Sequence, residues 1–218
     1  MTQDTNNFVP LTKPENYDAK QYELLIRIIE DEARRGKEHK LNNYFIINKM
    51  PDGKSDWNHR GGFSIDYVGR NWDYPEADYA TRAKIWKAHE DYIKGMLWFV
   101  GNDERIPATV REEMQSWGWP KDEFADNGHF SRQLYVREAR RLKGAYIMTE
   151  HNCTGKEVSQ DNAGLAAYTM DSHNCDRHVV NGMVKNEGNV EVGGFHPFPI
   201  SYLSLVPKEE ECKNLLVP

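Results

Sequence analysis

The sequence predicts an α+β fold, with helices packed on one side of a mostly antiparallel or mixed sheet. Helical periodicity is concentrated in the first half of the chain. Short β-rich runs dominate the second half. No repeat of 20–50 residues and no low-complexity tract points to a solenoid or an array. With 218 residues, one large domain or two small ones are possible. The reading taken is an extended lead-in over 1–16, which is polar and carries Pro10 and Pro14, followed by one α+β domain over 17–218.

Taken in order, Tyr17 to Arg35 is helical, because Tyr22, Leu25, Ile26 and Ile29 recur on one face and Gly36 follows a basic last turn. Leu41 to Lys49 reads as a strand around Tyr44-Phe45-Ile46-Ile47, and Met50-Pro51-Asp52-Gly53 is turn chemistry. The alternation over Phe63 to Val68 predicts a second strand paired with the first. Between them lies a polar, glycine-containing loop over 51–62, which reads equally as a site or as a solvated hairpin loop.

Pro75 to Val100 is the longest predicted helix, with Pro75 in the first turn and Glu76 and Asp78 near the positive end of its dipole. Its apolar stripe is wide, so it is mostly buried, and His89 inside it reads as a satisfied core residue. Pro107 to Trp117 is a shorter amphipathic helix ended by Gly118. Ser131 to Arg141 mixes signals. Ala145 to Thr149, Leu165 to Met170, His178 to Val184 and Ile200 to Val206 read as short strands.

Composition narrows the function classes. The net charge is −6, from 28 basic and 34 acidic residues. That lacks the basic footprint phosphate backbones demand, so nucleic acid is not expected as a partner. No apolar run is long enough to span a membrane, and the first residues lack the pattern of a secretory signal. Aromatic residues make up 11%, including six Trp, enough for a packed core. Three cysteines exclude a disulfide framework and leave one bridge and the compartment open. The chain stops on the apolar run NLLVP, which reads either as a fragment whose next element is missing or as a last edge strand.

Among candidate chemistries, His173 is the strongest general acid or base. It follows the strand-like LAAYTM within Asp171-Ser172-His173-Asn174, and imidazole titrates near neutrality. His-Asn-Cys occurs at 151–153 and at 173–175, with His178 close behind, but the usual zinc-ligand spacing is absent and no metal site is assigned. There is no nucleophile elbow, no P-loop and no Gly-x-Gly-x-x-Gly fingerprint. Trp57, Trp72, Tyr74, Trp117 and Trp119 lie in loop-like contexts that suit either sugar faces or packing.

Three stretches together resemble one family. Tyr135-Val136-Arg137-Glu138-Ala139-Arg140-Arg141 through Gly144-Ala145-Tyr146 to Thr149 is similar to the R-E-x-R-R-x-x-G-x-Y-x-x-T segment of bacterial FAD-dependent oxidoreductases, some of which are loosely labelled xanthan lyases. Asp171 to Asn174 with Asn186-Glu187-Gly188 resembles the family's middle segment. Pro199-Ile200-Ser201-Tyr202-Leu203-Ser204-Leu205-Val206-Pro207-Lys208 with Asn214-Leu215-Leu216-Val217 resembles its P-I-S-Y-x-S-L-x-P-K…N-L-L-V signature. The resemblance spans roughly residues 12–218.

It implies a flavoenzyme whose FAD carries hydride chemistry, while this region orients a small-molecule or carbohydrate substrate. The glycine-rich ADP-binding segment of the family is missing. The expectation is therefore the substrate-side region of a larger flavoenzyme, with FAD bound by the complete protein and not by this chain alone. On that resemblance, His173 and Tyr202 face substrate or flavin as catalytic candidates. Arg137 and Asn174 are substrate-binding candidates, joined by Asn58, Ser64 and Asp66 from the glycine-flanked hairpin. The alternative is a non-catalytic carbohydrate-binding or polysaccharide-lyase-associated domain, motivated by the loop aromatics.

Overall fold

The computed structural model describes residues 1–136, 140–193 and 196–216. Four α-helices and short antiparallel strand pairs make up the fold, with the helices mostly in the first half, so the α+β class holds. The strands form five separate two-stranded pairs among the described residues, in place of one sheet flanked by helices. The chain clusters into two compact units, Met1–Val136 and Arg137–Pro218, where the sequence suggests one domain over 17–218.

The first unit contains strand β1 (Val9–Pro10), helix α1 (Glu23–Arg34), strands β2 (Phe45–Lys49) and β3 (Ser55–His59), helices α2 (Tyr79–Asn102) and α3 (Ala108–Gln115), and strand β4 (Gly118–Trp119). Its core is built where the apolar periodicity places it. Leu25, Ile26 and Ile29 of α1 meet Met96, Phe99 and Val100 of α2, with Phe45 of β2 and Val110 and Met114 of α3. Each fully buried apolar side chain contributes about 1.5–3 kcal/mol relative to exposure. Tyr22 is buried yet satisfied, since its hydroxyl donates to the Tyr92 carbonyl at 3.0 Å. The 24-residue α2 begins at Asp78, whose carboxylate accepts the Thr81 N–H at 2.7 Å.

The lead-in is part of this unit. β1 pairs with β4, Thr2 is fully buried, and the Thr2 and Gly118 backbones exchange hydrogen bonds of 2.9 Å each.

The hairpin differs from the sequence reading. β2 pairs with Ser55–His59, inside the segment expected to be a loop, and residues 63–68 form bends and turns. The reason is local. The Ser64 hydroxyl accepts the Asp66 N–H at 2.9 Å and the Val68 N–H reaches the Asp66 carbonyl, so the backbone curls where the side-chain alternation alone reads as extended. Conversely, Ser55, Trp57 and His59 are the less exposed set in β3, and their polarity hides a period-2 pattern.

The second unit contains helix α4 (Glu150–Cys153) and strands β5 (Asn162–Ala166), β6 (Met170–Asp171), β7 (Asn174–Val180), β8 (Met183–Gly188), β9 (Glu191–Val192) and β10 (Phe198–Ser201). The single strand expected over 178–184 is a hairpin corner. Asn181 and Gly182 both adopt left-handed backbone, the turn that Asn-Gly favours, and the chain reverses there. Residues 145–149 make no strand, and Ile200–Val206 divides into the end of β10 and a 3-10 turn over Tyr202–Ser204.

Candidate functional site

The sequence candidates fall in both units. In the first, Asn58 is exposed on β3 and its side-chain oxygen accepts the His59 N–H at 2.8 Å. Ser64 is 2% exposed. Its hydroxyl holds the turn to Asp66, and its carbonyl accepts the Tyr92 hydroxyl at 2.8 Å. Both polar ends are thus spent on structure, and Ser64 offers a ligand little. Asp66 approaches His59, Oδ2 to Nδ1 3.5 Å, which joins the 63–68 segment to β3. His89 is a core residue as expected. Its Nδ1 lies 2.8 Å from the Ile85 carbonyl, and burial holds its pKa below the usual imidazole value.

Sequence reasoning missed two acids on the buried side of α2. Glu90 and Asp91 are 7% and 9% exposed, and Lys87 and Lys94 neutralise them at 2.6–2.9 Å. Burial opposes the Glu90 charge, but the two lysines outweigh it and hold its carboxyl below the usual range.

In the second unit, two of the sequence motifs meet. Gly144 forms an antiparallel bridge with Pro207, and a Cβ at Gly144 would lie 2.8 Å from the Leu203 carbonyl oxygen. The Tyr146 N–H donates to that same carbonyl at 3.3 Å. Only glycine permits this approach. The turn bearing Tyr202 is then fixed by Asp161. The Asp161 carboxylate accepts the Ser201 hydroxyl at 2.7 Å and the Leu203 N–H at 2.8 Å, while its carbonyl accepts the Tyr202 N–H at 2.8 Å. These hydrogen bonds hold the Asp161 carboxyl below its usual value, the Ser201 hydroxyl first among them. The Tyr202 ring projects from the clamp, half exposed. No motif pointed to Asp161; its neighbours Gln160 and Asn162 are equally polar.

His173 lies on the connection between β6 and β7. Its carbonyl occupies the space where a side chain on Gly188 would go, and Gly188 has φ +91°. Asn174 pairs with Gly188 in the β7–β8 register, and its Oδ1 is buried without a hydrogen-bond partner among the described residues. His173 thus lies between β6 and β7, and Tyr202 in the 3-10 turn that follows β10. Arg137 lies outside the described residues.

The metal-like grouping differs from the His-Asn-Cys repeats. Asp176, His178 and Glu187 bring their donor atoms within 4.8 Å of one another on the β7–β8 hairpin. His178 Nε2 lies 2.9 Å from Glu187 and 3.5 Å from Asp176, and these carboxylates raise its pKa, with the Glu187 hydrogen bond the larger cause. An exposed ion pair accounts for the arrangement. The three cysteines are free, so no bridge forms.

Of the loop-like aromatics, Trp57, Trp117 and Trp119 pack against the core of the first unit. Trp57 stacks obliquely on Phe45 at 5.0 Å and meets Trp117 edge-on at 5.1 Å. Trp72 is 62% exposed.

Among the described residues all strand pairs are antiparallel, so none belongs to the strand-turn-helix crossover that seats a dinucleotide in doubly wound folds. The N-terminus of α2, the longest helix, is filled by the Asp78 carboxylate, which repels a pyrophosphate from the N–H groups it would need. No helix is long and apolar enough to cross a membrane among those residues.

Comparison with curated proteins and with solved structures found no match. The family model described as FAD dependent oxidoreductase matches residues 1–218, the whole chain, which therefore belongs to the FAD-dependent oxidoreductase family.

Proposed function

We propose that these 218 residues form the substrate-side region of an FAD-dependent oxidoreductase, with the flavin held by polypeptide outside them. Membership of the family supports an oxidoreductase-type function. The convergence of the Gly144 and Tyr202 segments under Asp161 carries the finer reading. Two motifs about 60 positions apart are locked together, and the lock holds out a half-exposed tyrosine. A clamp of this kind fixes a polar ring without burying it, which is what orienting a substrate requires.

In this reading Tyr202 presents its phenol to substrate, and Asp161 is a positioning residue that acts through the backbone of the turn. His173 is the proton-transfer group, placed by the Gly188 contact, with Asn174 beside it. Asn58 and Asp66 are binding candidates of the first unit, and Ser64 supports them through the turn it holds. Arg137 is proposed to hold an anionic or hydroxyl-rich group on the strength of the sequence alone.

The carbohydrate-binding alternative draws little from the structure, because three of the aromatics that motivated it are packed on the core.

The test uses the complete flavoprotein, screened anaerobically with a panel of small hydroxylated and carbohydrate substrates for bleaching of the flavin. With a bleaching substrate in hand, Tyr202→Phe and His173→Ala are expected to slow bleaching by about 100-fold or more with flavin content unchanged. Wild-type rates in both variants would remove these residues from the mechanism.

A further inference from the structure

The first unit forms an open cavity of about 550 Å³ whose lining includes none of the proposed catalytic or substrate-binding residues. That volume lies in the range of small-molecule sites. Its walls are rings, Trp57, Trp119, Phe124 and Phe130, over a floor that includes Ile93 and Leu97. The walls are braced from behind. Phe130 lies 5.9 Å from Trp86 and from Trp119, edge-on to both, and Trp57 is held between Phe45 and Trp117.

A second observation marks the same place. Phe124 has φ 46° and ψ 38°, and His129 has φ 60°, a left-handed backbone that bulky side chains rarely adopt. The Phe124 carbonyl fixes this bend by accepting the Asn127 N–H at 2.8 Å and the His129 N–H at 3.0 Å. The strain is not repaid by burial, since Phe124 stays 42% exposed while lining the cavity. Strain held in place at a concave surface points to function.

The charges select the ligand. At the rim, Lys54 is already engaged by Asp122 at 2.8 Å and Glu123 at 2.5 Å. Asp56 lines the same rim together with the Met1 ammonium, and its charge acts on that ammonium against the effect of burial. The charges at the rim are thus matched among themselves, which favours a neutral ligand over a charged one. The walls offer flat apolar faces and few hydrogen-bonding groups, which suits an aromatic ring better than a sugar.

We propose that this cavity binds a flat, neutral aromatic or heteroaromatic small molecule, with its ring between Trp57, Trp119, Phe124 and Phe130. The site stands apart from the proposed substrate-side role, and either can fail without the other.

The test is calorimetric titration of the 218-residue chain with three probes that share one ring: indole, tryptamine and indole-3-acetate. Saturable one-to-one binding of indole is expected, with tryptamine and the acetate each about threefold or more weaker, because a ligand charge must compete with rim charges that are already matched. Phe124→Gly removes the ring and relieves the left-handed strain. It is expected to weaken indole binding about tenfold or more at an unchanged or raised melting temperature. Phe130→Leu keeps an apolar side chain but loses the flat face, and it is expected to weaken indole binding about threefold or more, which keeps the proposal testable if Phe124→Gly does not fold. No saturable binding by indole, wild-type affinity in a folded Phe124→Gly or Phe130→Leu, or tightest binding by tryptamine or the acetate would each overturn it.

Discussion

The two units of the chain are stabilised in different ways. In the first, the buried apolar side chains run from Tyr22 to Met114 and come from two long helices, a short helix and a hairpin. Among the described residues of the second, Asn152 and Ser201 are buried polar side chains that serve hydrogen bonds. Many of its large apolar residues are exposed, Val179 to 76% and Leu165 to 67%, and Phe198, Ile200 and Val206 are only partly buried. Hydrophobic burial stabilises the first unit; the second relies on strand pairing, turns and side-chain clamps. Isolated two-stranded pairs are marginal in water. A fold that keeps its candidate catalytic residues on such elements has low local stability where motion and binding are needed.

The widest break of that comparison is to separate the units. Residues 1–136 alone are expected to show a cooperative thermal transition by circular dichroism, and residues 137–218 alone are expected to show none. A cooperative transition in the second piece would mean that strand pairing suffices for its stability. The next largest effect is on the core. Phe99→Ala should cost about 3–5 kcal/mol in denaturant unfolding followed by Trp fluorescence, because a fully buried ring leaves a cavity. Val184→Ala, at a position 44% exposed, should change the same quantity by no more than about 0.5 kcal/mol.

A third substitution sharpens the contrast within the second unit. Gly188→Ala forces a Cβ into the His173 carbonyl at a backbone angle that disfavours any side chain. Hydrogen exchange should report lost amide protection over 170–192 with the α2 amides unaffected. Loss of protection in α2 would show that the units unfold together.

The smallest effect is electrostatic. The pKa of His178 is raised above the reference value of 6.5 by Glu187 and Asp176. The charged form therefore favours the folded hairpin. That contribution is fully present below about pH 6.5 and is lost as pH rises through the folded-state pKa. Protection of the β7–β8 amides, corrected for intrinsic exchange, should be greater at pH 6 than at pH 8.5. His178→Gln should flatten the difference.

The same contrast explains what could be read in advance. Helices α1, α2 and α3 were legible because burial writes a 3.6-residue period into the sequence: Leu25, Ile26 and Ile29 face the core as that period requires. The hairpin strand Ser55–His59 was not legible, because its less exposed residues are Ser55, Trp57 and His59 and only one of the three is apolar. The Asn181-Gly182 turn was encoded in plain turn chemistry, but a valine-rich run on either side read as one strand. Of the proposed site, Tyr202 lies in a motif that can be read in the sequence. Asp161 does not, since a clamp made of one carboxylate, one hydroxyl and two N–H groups has no periodicity. The strain at Phe124 is likewise a property of backbone angles, invisible until the turn is built.

The most direct test of the substrate-side assignment is the visible absorption spectrum of protein purified from the complete reading frame, recorded beside that of the 218-residue chain. Flavin bands are expected in the first, and none in the second even after FAD is added. Stoichiometric FAD uptake by the short chain, or a complete protein that stays colourless with FAD supplied, would contradict it.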